Sequence, residues 1–199
     1  MYWEKPGPTN TEQVADLVLE AARARGIKNI VLATTRGKSP DCYDGKLGDI
    51  TLTCVTHAYG SLAYGKNVMP EETRASLIAR GYQVCTAAHA LSGAERSISS
   101  RFKGVYPAEL IAATLRMFGQ GMKVCVEIAA MAADAGLVPA GEPLIAVGGT
   151  GIGSDTAVIL RPSYSSSILD TRIEEVLCKP HLGKPEETPS PLAAMAKKD

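Results

Sequence analysis

The sequence predicts a three-layer α/β/α sandwich, with helices on both faces of a mostly parallel five-stranded sheet that carries one antiparallel strand. Three observations lead there. Short apolar runs alternate with segments of helical periodicity, which calls for parallel crossovers. Asn29-Ile30-Val31-Leu32-Ala33 is nearly all apolar and too short for a helix, as a strand buried on both faces should be. The unit spanning residues 144 to 160 reads strand, glycine-rich loop, strand, with no helix between, so its strands should be antiparallel neighbours.

In chain order, Thr9-x-x-Glu12 fits a capping box, Val14, Leu17, Val18 and Ala21 follow at helical spacing, and Gly26 is placed to end that helix. After the strand at Asn29 comes a second from Ile50 to Thr56, its alternation and Thr content marking a β segment. Pro70-Glu71-Glu72 opens a helix that Gly81 closes, and Tyr82 to Ala88 is the third strand. Pro107 opens another helix with Ile111, Leu115 and Phe118 on one stripe, and Met122 to Ala135 forms the next. Leu144 to Val147 and Thr156 to Leu160 are the fourth and fifth strands, and Arg172 to Lys179 is a candidate edge strand. Residues 1–180 are expected to form one domain, and 181–199, rich in proline and charge, a disordered or loosely attached tail.

Lys plus Arg equals Asp plus Glu at 21 each, so no net field draws the chain to nucleic acid or an anionic membrane. No apolar run is long enough to span a bilayer. Met1 to Pro6 lacks a signal-peptide pattern, and a cytoplasmic protein is expected. Cys42, Cys54, Cys85, Cys125 and Cys178 are widely spaced, without metal-ligand or redox pairs, so no metal site is expected. Buried free thiols are the expectation, and a nucleophilic Cys is the lesser alternative. Met117, Phe118, Met122 and Met131 suit either a core or a homo-oligomer interface, with core packing favoured.

Ligands of open α/β sheets bind beyond the carboxyl ends of the parallel strands, so the residues after each strand are the candidates. These are Thr34, Thr35 and Gly37, then His57, then His89, then the loop from Gly148 to Asp155. That loop could aim successive N–H groups of Thr150 to Gly153 at one anion, or be a plain hairpin turn. Asp155 could bond ligand hydroxyls or brace the turn. Gly149-x-Gly151-x-Gly153 precedes a strand, so it is no dinucleotide fingerprint, and Gly37-Lys38-Ser39 lacks the first glycine of a P-loop. With no evident cationic clamp, backbone amides are expected to outweigh Lys38 in holding a phosphate. Residues 89–104 could be a binding loop or an amphipathic helix, and Glu127 is expected to face water.

Ala33-Thr34-Thr35-Arg36-Gly37, His89-Ala90-Leu91-Ser92-Gly93-Ala94-Glu95-Arg96-Ser97 and Gly148 to Ala157 together resemble a family of small prokaryotic proteins. These stand alone with the fold of the pyruvate kinase C-terminal domain. The resemblance implies a flavin mononucleotide (FMN) site at Thr34, Thr35, Gly37, Gly149, Thr150, Gly151, Gly153, Asp155 and Thr156, with Arg36 turned away. The expected function is therefore binding of a phosphorylated small molecule, FMN first, with flavin-dependent redox chemistry open. A non-catalytic sensor of a sugar phosphate or nucleotide is the alternative. A lyase or isomerase using His57 or His89 as base ranks last, because no third group is evident to orient either imidazole.

Overall fold

The protein is described by a computed structural model covering residues 1–61 and 64–183. Its strands are β1 (Tyr2–Trp3), β2 (Asn29–Ala33), β3 (Thr51–Val55), β4 (Gln83–Cys85), β5 (Leu144–Gly148), β6 (Thr156–Arg161) and β7 (Arg172–Pro180). Its helices are α1 (Thr11–Arg25), α2 (Glu71–Ala79), α3 (Gly93–Phe102), α4 (Pro107–Arg116) and α5 (Gln120–Asp134). The sheet has seven strands in the order β1-β7-β6-β5-β2-β3-β4, two more than expected. β2 pairs in parallel with both β3 and β5, β4 extends the parallel set, and β5–β6 is the expected antiparallel pair.

Alternation along the buried strands divides the core. Ile30 and Leu32 face one layer, where they meet Val14, Val18 and Leu19 of α1 and Leu77 of α2. Val31 faces the other, against Met122, Val126, Ala129 and Ala133 of α5. Met122 and Met131 are core residues, whereas Met117 and Phe118 are exposed. The buried cysteines pack as small apolar groups: burial pushes the Cys54 thiol up to about 12 and the Cys178 thiol to about 11. Such thiols stay protonated near neutrality, which removes the nucleophilic alternative for both.

Several local expectations give way. The capping box does not form: α1 begins at Thr11, and Asn10 at its N-cap sends its side-chain amide to the Lys5 and Gly7 carbonyls. The third strand keeps only Gln83–Cys85, because β4 is paired on one side only and ends where β3 ends. Residues 93–102 are helical, and Glu95 accepts the N–H groups of Ala108 and Glu109, fastening α3 to the start of α4. β7 is flanked at its end by β1, a two-residue parallel strand whose Trp3 is buried. Of the expected tail, His181 stacks on Tyr2 at 5.3 Å and donates its backbone N–H to the Trp3 carbonyl, while 184–199 lie outside the described residues.

Candidate functional site

β2 is the point where the strand order reverses, with β3 on one side and β5 on the other. Loops leaving two such neighbouring parallel strands diverge to opposite faces and open a crevice at the carboxyl edge. A cleft of about 820 Å³ occupies that place. It is lined by the turn after β2, by residues after β3 and β4, by the starts of α3 and α5, and by the glycine loop after β5. A smaller hollow of about 520 Å³ lies at the opposite edge, beside the first residues of β3 and the Gly81–Tyr82 turn. Its charged groups Asp44 and Arg80 are spent on each other, so the carboxyl-edge cleft is the better-equipped site.

The cleft gathers Thr34, Thr35, His57, His89, Gly149, Gly151 and Gly153, seven of the expected site residues. Thr34 accepts the Gly37 N–H at 3.0 Å, which fixes the turn after β2. Gly37 itself is buried, with φ of 78° and space for a Cβ taken by Thr73, so it shapes the turn rather than lining the cleft. His57 and His89 come together with ring centroids 5.1 Å apart. The Ala58 N–H donates to His89 Nε2 at 3.3 Å, an orienting group that the sequence did not reveal. Burial pulls both imidazoles below their ordinary value, with Glu127 opposing the shift.

Asp155 is a brace. Its side chain is fully buried, with Oδ2 accepting the N–H groups of Gly7 and Thr150, both at 3.0 Å, and Oδ1 accepting the Thr156 hydroxyl at 2.8 Å. Neither Asp155, Thr156 nor Thr150 lines the cleft. The glycine loop is a hairpin joining β5 to β6, and much of its amide set is used internally. Thr150 N–H goes to Asp155, Ile152 N–H to the Thr150 carbonyl, and Ser154 N–H to the Thr11 hydroxyl. Gly153, at φ of 77°, lies so close to the segment leading into α1 that a Cβ would stand 2.5 Å from Pro8 Cα and 2.6 Å from Thr11 Oγ1. A side chain at Gly153 would therefore break the fold, and only Gly151 offers an open position for testing the loop alone.

The charges at the cleft were harder to read. Arg36 lines it, contrary to expectation, with Lys38, Arg96, Arg116 and Lys123. Arg36, Lys38 and Arg96 make no side-chain hydrogen bond or ion pair among the described residues, while Arg116 donates to Gln120 at 2.8 Å. Glu127 does not face water: it is buried, paired with Lys123, and accepts the Leu91 N–H at 3.1 Å. Burial pushes the Lys123 ammonium below its ordinary value. The i,i+4 spacing of two charges inside an apolar helix was the available sign of this pair. α3 and α5 both start at the cleft without a side-chain cap, so their first-turn N–H groups add positive potential there.

Two predictions follow from these partners. Asp155→Ala should destabilise the fold by about 3 kcal/mol or more, since charge-assisted bonds contribute roughly 1.5 to 3 kcal/mol each and two backbone amides would lose theirs. Denaturant unfolding checks this, and a near-neutral result would show that the brace is dispensable. The depressed imidazoles are neutral when folded, so their contribution to stability is complete above the ordinary histidine value of 6.5 and is lost as pH falls through the lower folded values. Melting curves should decline below about pH 6.5, and His57→Asn with His89→Gln should flatten that decline.

A family profile described as the pyruvate kinase alpha/beta domain matches residues 12–160. A pyruvate kinase from Cryptosporidium parvum is similar in structure at 18% identity, with a TM-score of 0.39 over 77% of this chain and 23% of that one. The Cryptosporidium parvum pyruvate kinase in complex with ADP gives 18% identity and a TM-score of 0.36 over 75% of this chain and 22% of that one. The chain thus spans less than a quarter of the length of these enzymes. On the match from Glu12 to Leu160, the chain belongs to the pyruvate kinase alpha/beta domain family.

Proposed function

We propose that the protein binds a phosphorylated small molecule in the carboxyl-edge cleft, with FMN as the first candidate. The observation that carries this is the charge of the lining among the described residues: five cationic side chains, three of them without a hydrogen bond or ion pair there, stand against one carboxylate, that of Glu127. A phosphate answers such a set because it accepts several charge-assisted bonds at once. Two helix N-termini reinforce the preference. The volume falls in the range of roughly 300 to 1,000 Å³ typical of small-molecule sites.

The residues present fit a flavin phosphate. Arg36, Lys38 and Arg96 would hold the phosphate, Thr35 and Ser92 would offer hydroxyls to the ribityl chain, and Val55, Val124, Ile128 and Met131 would give the ring an apolar wall. When bound, the isoalloxazine would supply electron and hydride exchange, and the protein would orient it and limit water. One feature favours the alternative of a non-catalytic sensor for a sugar phosphate or nucleotide. Among the described residues the lining contains no Trp, Tyr or Phe to stack on a flavin, and its rings are the two imidazoles.

Fluorescence titration with FMN and riboflavin separates these readings. FMN should quench on binding, and riboflavin should bind about tenfold or more weakly, the equivalent of one lost charge-assisted bond. Arg96→Ala should weaken FMN by a similar factor while riboflavin is unaffected. Equal affinity for both flavins would contradict the phosphate assignment. No response to FMN, with a melting shift from sugar phosphates, would exclude the flavin and favour the sensor.

A further inference from the structure

Lys123 and Glu127 have not been accounted for by phosphate binding alone. They sit one turn apart on α5, whose other buried positions are apolar or small, and both side chains are 6% exposed. A buried ion pair is seldom the stable choice against well-packed apolar residues, so its place at a cleft calls for a chemical reason. The pair also borders His57 and His89, since Glu127 raises and Lys123 lowers the proton affinity of both imidazoles.

We propose that Lys123 is a nucleophilic amine that condenses with the aldehyde or ketone group of a phosphorylated substrate, with Glu127 as its proton acceptor and donor. The inference rests on the reading that the cleft takes a phosphorylated small molecule, and does not require the flavin. Geometry supports it in two ways. Lys123 and Glu127 both belong to the lining of the cleft, beside His57, His89 and Arg96, although each side chain is only 6% exposed. Glu127 Oε2 contacts that Nζ, while Oε1 is held by the Leu91 N–H at 3.1 Å, which fixes the carboxylate beside the amine.

The step balances without any oxidant or reductant. Glu127 takes one ammonium proton, and the freed Nζ lone pair forms a bond to the carbonyl carbon as the carbonyl π electrons move to oxygen. A proton passes from nitrogen to that oxygen, giving a neutral carbinolamine. Glu127 then returns its proton to the hydroxyl, which leaves as water while the nitrogen lone pair forms the C=N bond. The products are one protonated imine, one water and the restored carboxylate. Burial favours the free amine that starts the sequence. Besides burial, the groups that act on its proton affinity are Glu127 on the same helix, Arg116 on α4 and Arg96 on α3, and the two imidazoles beyond β3 and β4 feel its charge in turn.

Pyridoxal 5′-phosphate with borohydride tests this on the full chain, because it is a phosphorylated aldehyde whose imine is fixed as a secondary amine by hydride. Peptide mass spectrometry should find Lys123 modified ahead of the exposed lysines, because burial favours its neutral amine. Its pH midpoint should fall below the ordinary lysine value of 10.5. Inorganic phosphate should protect it, and Lys123→Arg, which keeps the ion pair but cannot form the imine, should remove the label while retaining the melting temperature. Modification confined to exposed lysines would overturn the proposal, and if phosphate still raised the melting temperature the binding reading would survive alone. Equal labelling of Lys123 by unphosphorylated pyridoxal would overturn the assignment of a phosphorylated substrate.

Discussion

The buried Asp155 carboxylate ties the glycine loop and the start of β6 to a segment 148 residues away, before α1. It takes N–H groups from Gly7 before α1 and from Thr150 in the glycine loop, and a hydroxyl from Thr156 at the start of β6. Trp3 Nε1 donates to the Asp155 carbonyl at 2.8 Å, adding β1 to the same knot. Together with the Ser154 N–H bond to the Thr11 hydroxyl, this anchor fixes the loop after β5, which forms one wall of the cleft. Gly121 extends the constraint to the other face: a Cβ there would stand 2.1 Å from Thr156 Oγ1, so only glycine lets α5 begin this close to β6. The helix start that carries Lys123 is thus located by the strand that Asp155 introduces.

The site follows from that architecture and from the reversal of strand order at β2. Parallel β2 and β5 present their carboxyl ends side by side, and the loops they emit form opposing walls. Cations arrive from separate elements: Arg36 and Lys38 from the turn after β2, Arg96 from α3, Arg116 from α4 and Lys123 from α5. A neutral chain can therefore hold a locally positive cleft, because balancing acids such as Asp16, Asp41, Asp44, Asp49 and Glu175 pair with basic groups outside its lining. Proximity within the fold, rather than total charge, sets the local potential at the cleft.

The central strands were legible because burial on both faces leaves a plain apolar signature, as in Asn29–Ala33 and Leu144–Val147. The antiparallel turn at the glycine loop was legible from the missing helix. β1 was not, since two residues carry no periodicity and its pairing depends on Lys179 and Pro180, far along the chain. At the carboxyl edge, the strand-end rule put Thr34, Thr35, His57 and His89 in the cleft lining, which depends only on where a strand stops. It failed for Asp155, whose two readings differ by which amides lie nearby in space. It failed for the cations too, since no local pattern tells a solvated arginine from one facing a cleft.

The central claim is that the carboxyl-edge cleft, positive through convergence, takes a phosphorylated ligand. Backbone NMR of the labelled protein titrated with FMN, or with a sugar phosphate if FMN gives no response, tests it most directly. The account predicts shifts concentrated at Thr35, Arg36, Arg96, Gln120 and Gly151, which line the cleft from four separate elements. Shifts centred instead on Gly45, Gly48 and Gly81 at the opposite edge, or no localised shifts with any phosphorylated ligand, would contradict it.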